Sequence, residues 1–182
     1  ENELQHMVQT CLTHDGPISV RYSRGSSLGV PLDPEPLPIP IGQGELLLEG
    51  HDVGIVAIGI MVSEAMEAAR RLREDGISVA VVNARFVKPL DKALIREVAG
   101  KVKCLVTIEE GCRMGGFGSA VLELLSEEEQ WQLPTKVLGL PDWYIEQGPQ
   151  DLLREKYGLT ADGIYDQAKA LHDRVTLQSV IR

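Results

Sequence analysis

The run Val53-Gly54-Ile55-Val56-Ala57-Ile58-Gly59 constrains the fold more than any other part of this sequence. It contains no polar side chain, so a strand built from it has no face to offer to water. Such a strand must be covered on both sides, which is the situation of a parallel sheet held between helical layers. The following residues supply the layers. Ser63 to Asp75 reads as a helix, with Ser63 as N-cap, Glu64 and Glu67 near its start, Arg70, Arg71 and Arg73 near its end, and Gly76 as its stop. Its apolar stripe is Ala65, Ala68, Ala69 and Leu72. Ser78 to Asn83 is a second apolar strand, and Asp91 caps a helix carrying Leu94, Ile95 and Val98. A strand at Cys104 to Ile108, a helix from about Phe117 to Leu125 and a strand at Lys136 to Leu140 continue the alternation. A short strand is expected ahead of it at Glu45 to Glu49. Two helices close the chain, Pro149 to Tyr157 with Pro149 at the first helical position and Gly158 as stop, and Thr160 to Val175 with Ile164, Ala168, Leu171 and Val175 in phase. Strands alternating with helices require right-handed parallel crossovers. The predicted fold class is α/β, a three-layer, mostly parallel sheet.

The first forty residues follow different rules. Leu4, Met7, Val8, Cys11 and Leu12 repeat at helical spacing with no room for a preceding cap, so the chain is expected to begin inside a helix of something longer. Asp15-Gly16-Pro17 signals a turn, and Ile18 to Ser23 alternates apolar and polar residues as a strand does. Pro31, Pro34, Pro36, Pro38 and Pro40 then exclude helix and central strand, leaving a linker. The expected organisation is residues 1–30 as the tail of one unit, 31–43 as linker and 44–182 as the α/β domain.

Composition narrows the function. A formal net charge of -9 opposes binding to nucleic-acid phosphates, which needs clustered Lys and Arg. No apolar run approaches the roughly 18 residues of a membrane span, and the N-terminus ENELQHMVQT lacks a signal core, so the chain reads as cytoplasmic and independent of membranes. Cys11, Cys104 and Cys112 lack metal-ligand spacing and read as reduced thiols. No metal site is expected. His6, His14, His51 and His172 stand without accompanying ligands and read as surface residues.

Three constellations bear on chemistry. Gly116-Phe117-Gly118 precedes a helix, as a dinucleotide-binding turn does, but Val121 replaces the third glycine and the ribose-binding acid is missing. A glycine turn that lets the helix pack closely on the sheet is the better reading. Glu109 and Glu110 end a strand where open α/β sheets bind ligands. Adjacent residues of a strand point apart, so an acid-base pair yields to a solvated loop or interface carboxylate. Arg21 and Arg24, in Arg21-Tyr22-Ser23-Arg24-Gly25-Ser26-Ser27, offer guanidinium forks and free backbone N–H groups to an anion, with plain surface charge as the alternative.

Five segments carry a family resemblance, in order: Gly16-Pro17-Ile18-Ser19-Val20-Arg21-Tyr22-Ser23-Arg24-Gly25, Ala84-Arg85-Phe86-Val87-Lys88-Pro89-Leu90-Asp91, Val106-Thr107-Ile108-Glu109-Glu110-Gly111, Gly115-Gly116-Phe117-Gly118-Ser119-Ala120-Val121 and Leu138-Gly139-Leu140-Pro141-Asp142. Together they resemble the 1-deoxy-D-xylulose-5-phosphate synthases of the transketolase family. The resemblance implies a homodimeric enzyme of three domains, of which residues 1–30 end the pyrimidine-binding domain and 44–182 form the last. It implies thiamine diphosphate and magnesium as cofactors held by the first two domains, with no catalytic residue, no metal ligand and no bound cofactor in this chain. The implied substrates are pyruvate and glyceraldehyde 3-phosphate. One site residue carries over: Arg24, as the guanidinium for the phosphate of glyceraldehyde 3-phosphate. Ser23 departs from the proline usual there, and Arg21 is read as structural. The implied contribution of the chain is that arginine, a dimer surface and packing against the remaining domains. Two rival readings are the β subunit of a 2-oxo-acid dehydrogenase, whose last domain has similar strand and Pro-Leu-Asp patterns, and an independent α/β interaction module. Gly115-Gly116-Phe117-Gly118 and Gly139-Leu140-Pro141-Asp142 favour the synthase over the first.

Overall fold

The computed structural model describes residues 1–25, 28–128, 130 and 132–180. Helix α1 (Asn2–Thr13) opens the chain, and residues 14–25 and 28–44 lie in no helix or strand ahead of strand β1 (Glu45–Leu48). Then follow β2 (Val53–Ala57), α2 (Met61–Glu74), β3 (Val79–Asn83), α3 (Lys92–Ala99), β4 (Cys104–Cys112), α4 (Phe117–Glu127), β5 (Thr135–Leu140), α5 (Gln150–Lys156) and α6 (Ala161–Val180). The sheet order is β1-β3-β2-β4-β5. Strands β2 to β5 are parallel, and β1 lies antiparallel on the outer edge of β3.

The apolar run is the centre of the sheet. Ile55 of β2 stands beside Val81 on one side and Val106 on the other. Alternate residues of the strands serve opposite layers. Ile55, Val81, Val106 and Ile108 meet Ala65, Ala68 and Leu72 of α2 and Ile164, Ala168 and Leu171 of α6. Val56, Val82 and Leu105 meet Ile95 and Val98 of α3 and Val121 and Leu124 of α4. Both faces of β2 are therefore dry, and burying each side chain of this size stabilises by roughly 1.5–3 kcal/mol.

Asp52 ties the amino ends of the strands together. Its Oδ2 accepts from the Ser78 N–H at 2.8 Å and its Oδ1 pairs with Lys103 Nζ at 2.7 Å. Burial pushes this carboxyl up, but the Lys103 ammonium and the Ser78 N–H outweigh it and hold Asp52 below the ordinary carboxylate range.

The N-terminal helix and the proline-rich segment are one assembly. Glu1 accepts from the N–H groups of Leu28 and Val30, Asn2 from Asp33, His6 Nδ1 from Leu37 and Thr10 Oγ1 from Ile39, at 2.6 to 3.1 Å. His6 Nδ1 lies against the Leu37 backbone and Nε2 faces Asp33 Oδ2 at 2.9 Å. Hydrogen bonds from Asn2 and then His6 hold the Asp33 carboxyl below its ordinary value.

The structure corrects several expectations. Ile18 to Ser23 is not a strand, because no described strand lies beside it to accept a ladder. Helix α2 starts at Met61 rather than after Ser63, whose hydroxyl lies in the first turn and donates to Ile60 O at 2.8 Å. Pro149 is the N-cap residue of α5 rather than its first helical one. Strand β4 runs on past Ile108 to Cys112 through a register shift. His6 and His172 are not free surface residues: their side chains are 13% and 15% exposed, against 74% for His51.

Candidate functional site

The carboxyl ends of β2, β3, β4 and β5 share one edge of the sheet, the place where open α/β folds bind ligands. Three polar groups are built there.

The first is at the end of β3. Arg85 has φ 58, left-handed backbone that costs a side-chain-bearing residue about 1–2 kcal/mol. Asn83 Oδ1 accepts the Arg85 N–H at 3.2 Å, a local turn that holds the conformation. Asn83 Nδ2 and Arg85 Nε then both reach Glu3 of α1, and Arg85 Nη2 reaches Glu45 of β1 at 2.5 Å. The first helix is thus docked on this edge by a carboxylate shared between an amide and a guanidinium.

The second is Glu109, 5% exposed. Its Oε2 accepts from the Phe117 N–H at 3.0 Å and its Oε1 from the Gly118 N–H at 2.9 Å. The carboxylate therefore caps α4, where the helix dipole favours negative charge. This corrects the solvated reading. Glycines make the space: a Cβ on Gly111 would stand 2.8 Å from Glu109 Oε2, and one on Gly116 2.5 Å from it. A Cβ on Gly118 would stand 2.7 Å from Thr107 Oγ1, which bears out the reading of this turn as one of close packing.

The third is Glu110, which points away from Glu109 as strand parity requires. Arg154 of α5 donates Nε to Glu110 Oε1 at 2.8 Å and Nη2 to the same oxygen, while the Ser23 hydroxyl donates to Oε2. The side chains of Glu110 and Arg154 are 15% and 19% exposed. Arg24 follows Ser23 directly, exposed, and among the described residues its guanidinium has no partner. Arg21 is also exposed, and Ser26 and Ser27 lie outside the described residues. Of the residues singled out from sequence, Ser23, Arg24 and Glu110 are brought together, whereas Glu109 is spent within the fold. Arg85, Glu3 and Arg154 were not singled out, because a left-handed arginine and two ion pairs between distant elements leave no trace in periodicity.

Metal ligation does not fit this edge. Glu3, Glu45, Glu109 and Glu110 are each committed to cations or N–H groups, and no cluster of three His, Cys, Asp or Glu side chains suited to a metal ion occurs among the described residues. The same residues offer nothing for a diphosphate-bound magnesium.

A mostly parallel sheet covered by helices on both faces defines a three-layer α/β domain. The match to the family described as transketolase, C-terminal domain, spans residues 42–164, and the chain belongs to that family. It is 56% identical over 164 residues to 1-deoxy-D-xylulose-5-phosphate synthase 1 of Geobacter sulfurreducens, covering 90% of this chain and 26% of that protein. It is 53% identical over all 182 residues to the 1-deoxy-D-xylulose-5-phosphate synthase of Heliobacterium modesticaldum, 28% of that protein. The chain thus spans about a quarter of the length of the curated relatives it matches. Among solved structures it is similar to a split gene transketolase, an inactive β4 tetramer, with TM-score 0.66 and 40% identity over 81% of this chain and 46% of that one.

Proposed function

We propose that this chain is the C-terminal portion of a 1-deoxy-D-xylulose-5-phosphate synthase, a transferase that condenses pyruvate with glyceraldehyde 3-phosphate with loss of carbon dioxide at the start of a route to isoprenoids and thiamine. The observation that carries this reading is the identity of 53% along the entire chain to one such synthase. Thiamine diphosphate supplies the carbanion chemistry in enzymes of this class, and its ligands and those of magnesium lie outside these 182 residues. Arg24 holds the acceptor's phosphate, a dianion that a planar guanidinium binds bidentately. The exposed apolar side chains Val8, Leu12, Ile18, Tyr22, Leu28, Val30, Leu32, Leu37 and Ile41 support contact with the remaining domains, since so many on a short segment call for a partner. Homodimerisation and a cytoplasmic setting belong to the same reading, and no described helix is long and apolar enough to cross a membrane.

The chain alone is inactive and does not bind the cofactor. The solved relative, itself an inactive tetramer of one kind of subunit, supports this. The test is calorimetric titration of the purified chain with thiamine diphosphate and magnesium, followed by synthase assay of the chain alone and mixed with separately produced upstream domains of such an enzyme. No binding, no activity alone and restored activity on mixing are expected. Saturable micromolar binding by the chain alone, or no activity on mixing, overturns the assignment.

A further inference from the structure

We infer that Ser23, Glu110 and Arg154 form a tether that positions Arg24 for the acceptor phosphate, an inference that rests on the phosphate reading of Arg24 above. The argument begins with how little else holds this segment. Residues 14–25 belong to no helix or strand. Among the described residues of that segment, the bond from Ser23 to Glu110 is the one hydrogen bond to a distant part of the chain. A guanidinium at the end of an untethered loop forfeits conformational entropy each time it meets a ligand. Fixing the residue next to it removes part of that cost beforehand.

The anchor is itself built to stay put. Glu110 sits at the end of a sheet strand and Arg154 on a helix, and the Arg154 fork takes Oε1 with two nitrogens while leaving Oε2 for Ser23. Gln150, one turn earlier on α5, closes on the other side: a Cβ at Gly25 would lie 2.8 Å from Gln150 Oε1. The backbone around Arg24 is therefore gripped at Ser23 and confined at Gly25. The Arg154 charge has a second use. An uncompensated Glu110 carboxylate beside a phosphate site would repel the dianion, and Arg154 cancels it.

Ser23, Glu110 and Arg154 are thus positioning residues, and three readouts test them. In the full-length enzyme Ser23→Ala should raise the acceptor KM about five- to tenfold, less than the full worth of one hydrogen bond to a charged group because the bond acts through the loop, with kcat and the pyruvate KM unchanged. Ser23→Thr, which keeps the hydroxyl, should restore the wild-type value. Arg154→Ala should raise the acceptor KM more than Ser23→Ala does, and adding Glu110→Gln should bring part of it back by removing the stranded charge. In the 182-residue chain, trypsin should cut after Arg24 several-fold faster in Ser23→Ala than in wild type, because cleavage follows local opening. In an Arg24→Ala background the Ser23→Ala effect on KM should vanish. An effect that persists there, or equal trypsin rates, overturns the tether. If Arg24→Ala raises the acceptor KM and Ser23→Ala does not, the tether fails alone; if Arg24→Ala itself changes nothing, the phosphate reading fails and this inference with it.

Discussion

A carboxylate can leave water without losing its charge only where donors take the water's place. Glu109 finds two, the N–H groups of Phe117 and Gly118, and both of its oxygens are used in capping α4. Glu109→Ala should lower stability by about 2–4 kcal/mol, the loss of a helix cap plus two stranded N–H groups, read as a fall in the urea midpoint. The same carboxylate accounts for Gly111, whose hypothetical Cβ meets Glu109 and nothing else within 4 Å. Gly111→Ala should therefore be destabilising in the wild type and close to neutral beside Glu109→Ser. Equal costs in both backgrounds would show that the glycine answers to something else. Strand parity made half of this legible, since Leu105, Thr107 and Glu109 share one face and Leu105 is in the core. The position of the α4 N-terminus, which turns an inward acid into a cap, is a tertiary fact with no local signal. For Arg24 the residues alone left an anion site and plain surface charge both open, and the family resemblance favoured the first, which is the role proposed here. In the full-length enzyme Arg24→Ala should cost roughly 2–4 kcal/mol of transition-state stabilisation, about 30- to 1000-fold in kcat/KM, mostly in the acceptor KM. Lysine should recover part, having the charge without the fork.

At the scale of elements, the strands were legible because burial on both faces writes itself as continuous apolar sequence; of the helix starts, Asp91 caps α3 and Phe117 opens α4 as expected, whereas the start of α2 was misplaced. Ser63 has the chemistry of an N-cap, yet the backbone turns at Gly59, φ 63, so the helix is already under way when Ser63 arrives. The alternation of Ile18 to Ser23 was real but lacked a neighbouring strand. Asp52 shows how one side chain can join elements. Its folded value lies below the ordinary 3.8, so its contribution is present above about pH 4 and is lost as pH falls through the folded value. Asp52→Asn should cost about 1–2 kcal/mol at pH 7, for hydrogen bonds to one charged and one neutral partner. Urea midpoints measured from pH 7 downward should show the gap between wild type and variant closing below about pH 4. A gap independent of pH would mean that the Asp52 charge does not stabilise the fold.

For the whole molecule, the expected division at residues 30 and 43 meets a physical complication. Helix α1 reaches across it, to the proline segment through four side chains and to β1 and β3 through Arg85 and Asn83. Residues 44–182 contain both layers of the core and should still fold alone and self-associate through a two-fold contact, to be measured by light scattering. A strictly monomeric mass at high concentration would count against a self-sufficient dimer surface. The contacts of α1 also set a path for force. Residues 1, 2, 6 and 10 join residues 30, 33, 37 and 39 in the same order, so helix and segment lie side by side in register. A pull on residue 1 against the sheet loads these rungs together, in shear, and passes to β1 without travelling through residues 14–25. The stretch that bears Arg24 lies outside that path, held instead to the sheet through Ser23 and Glu110.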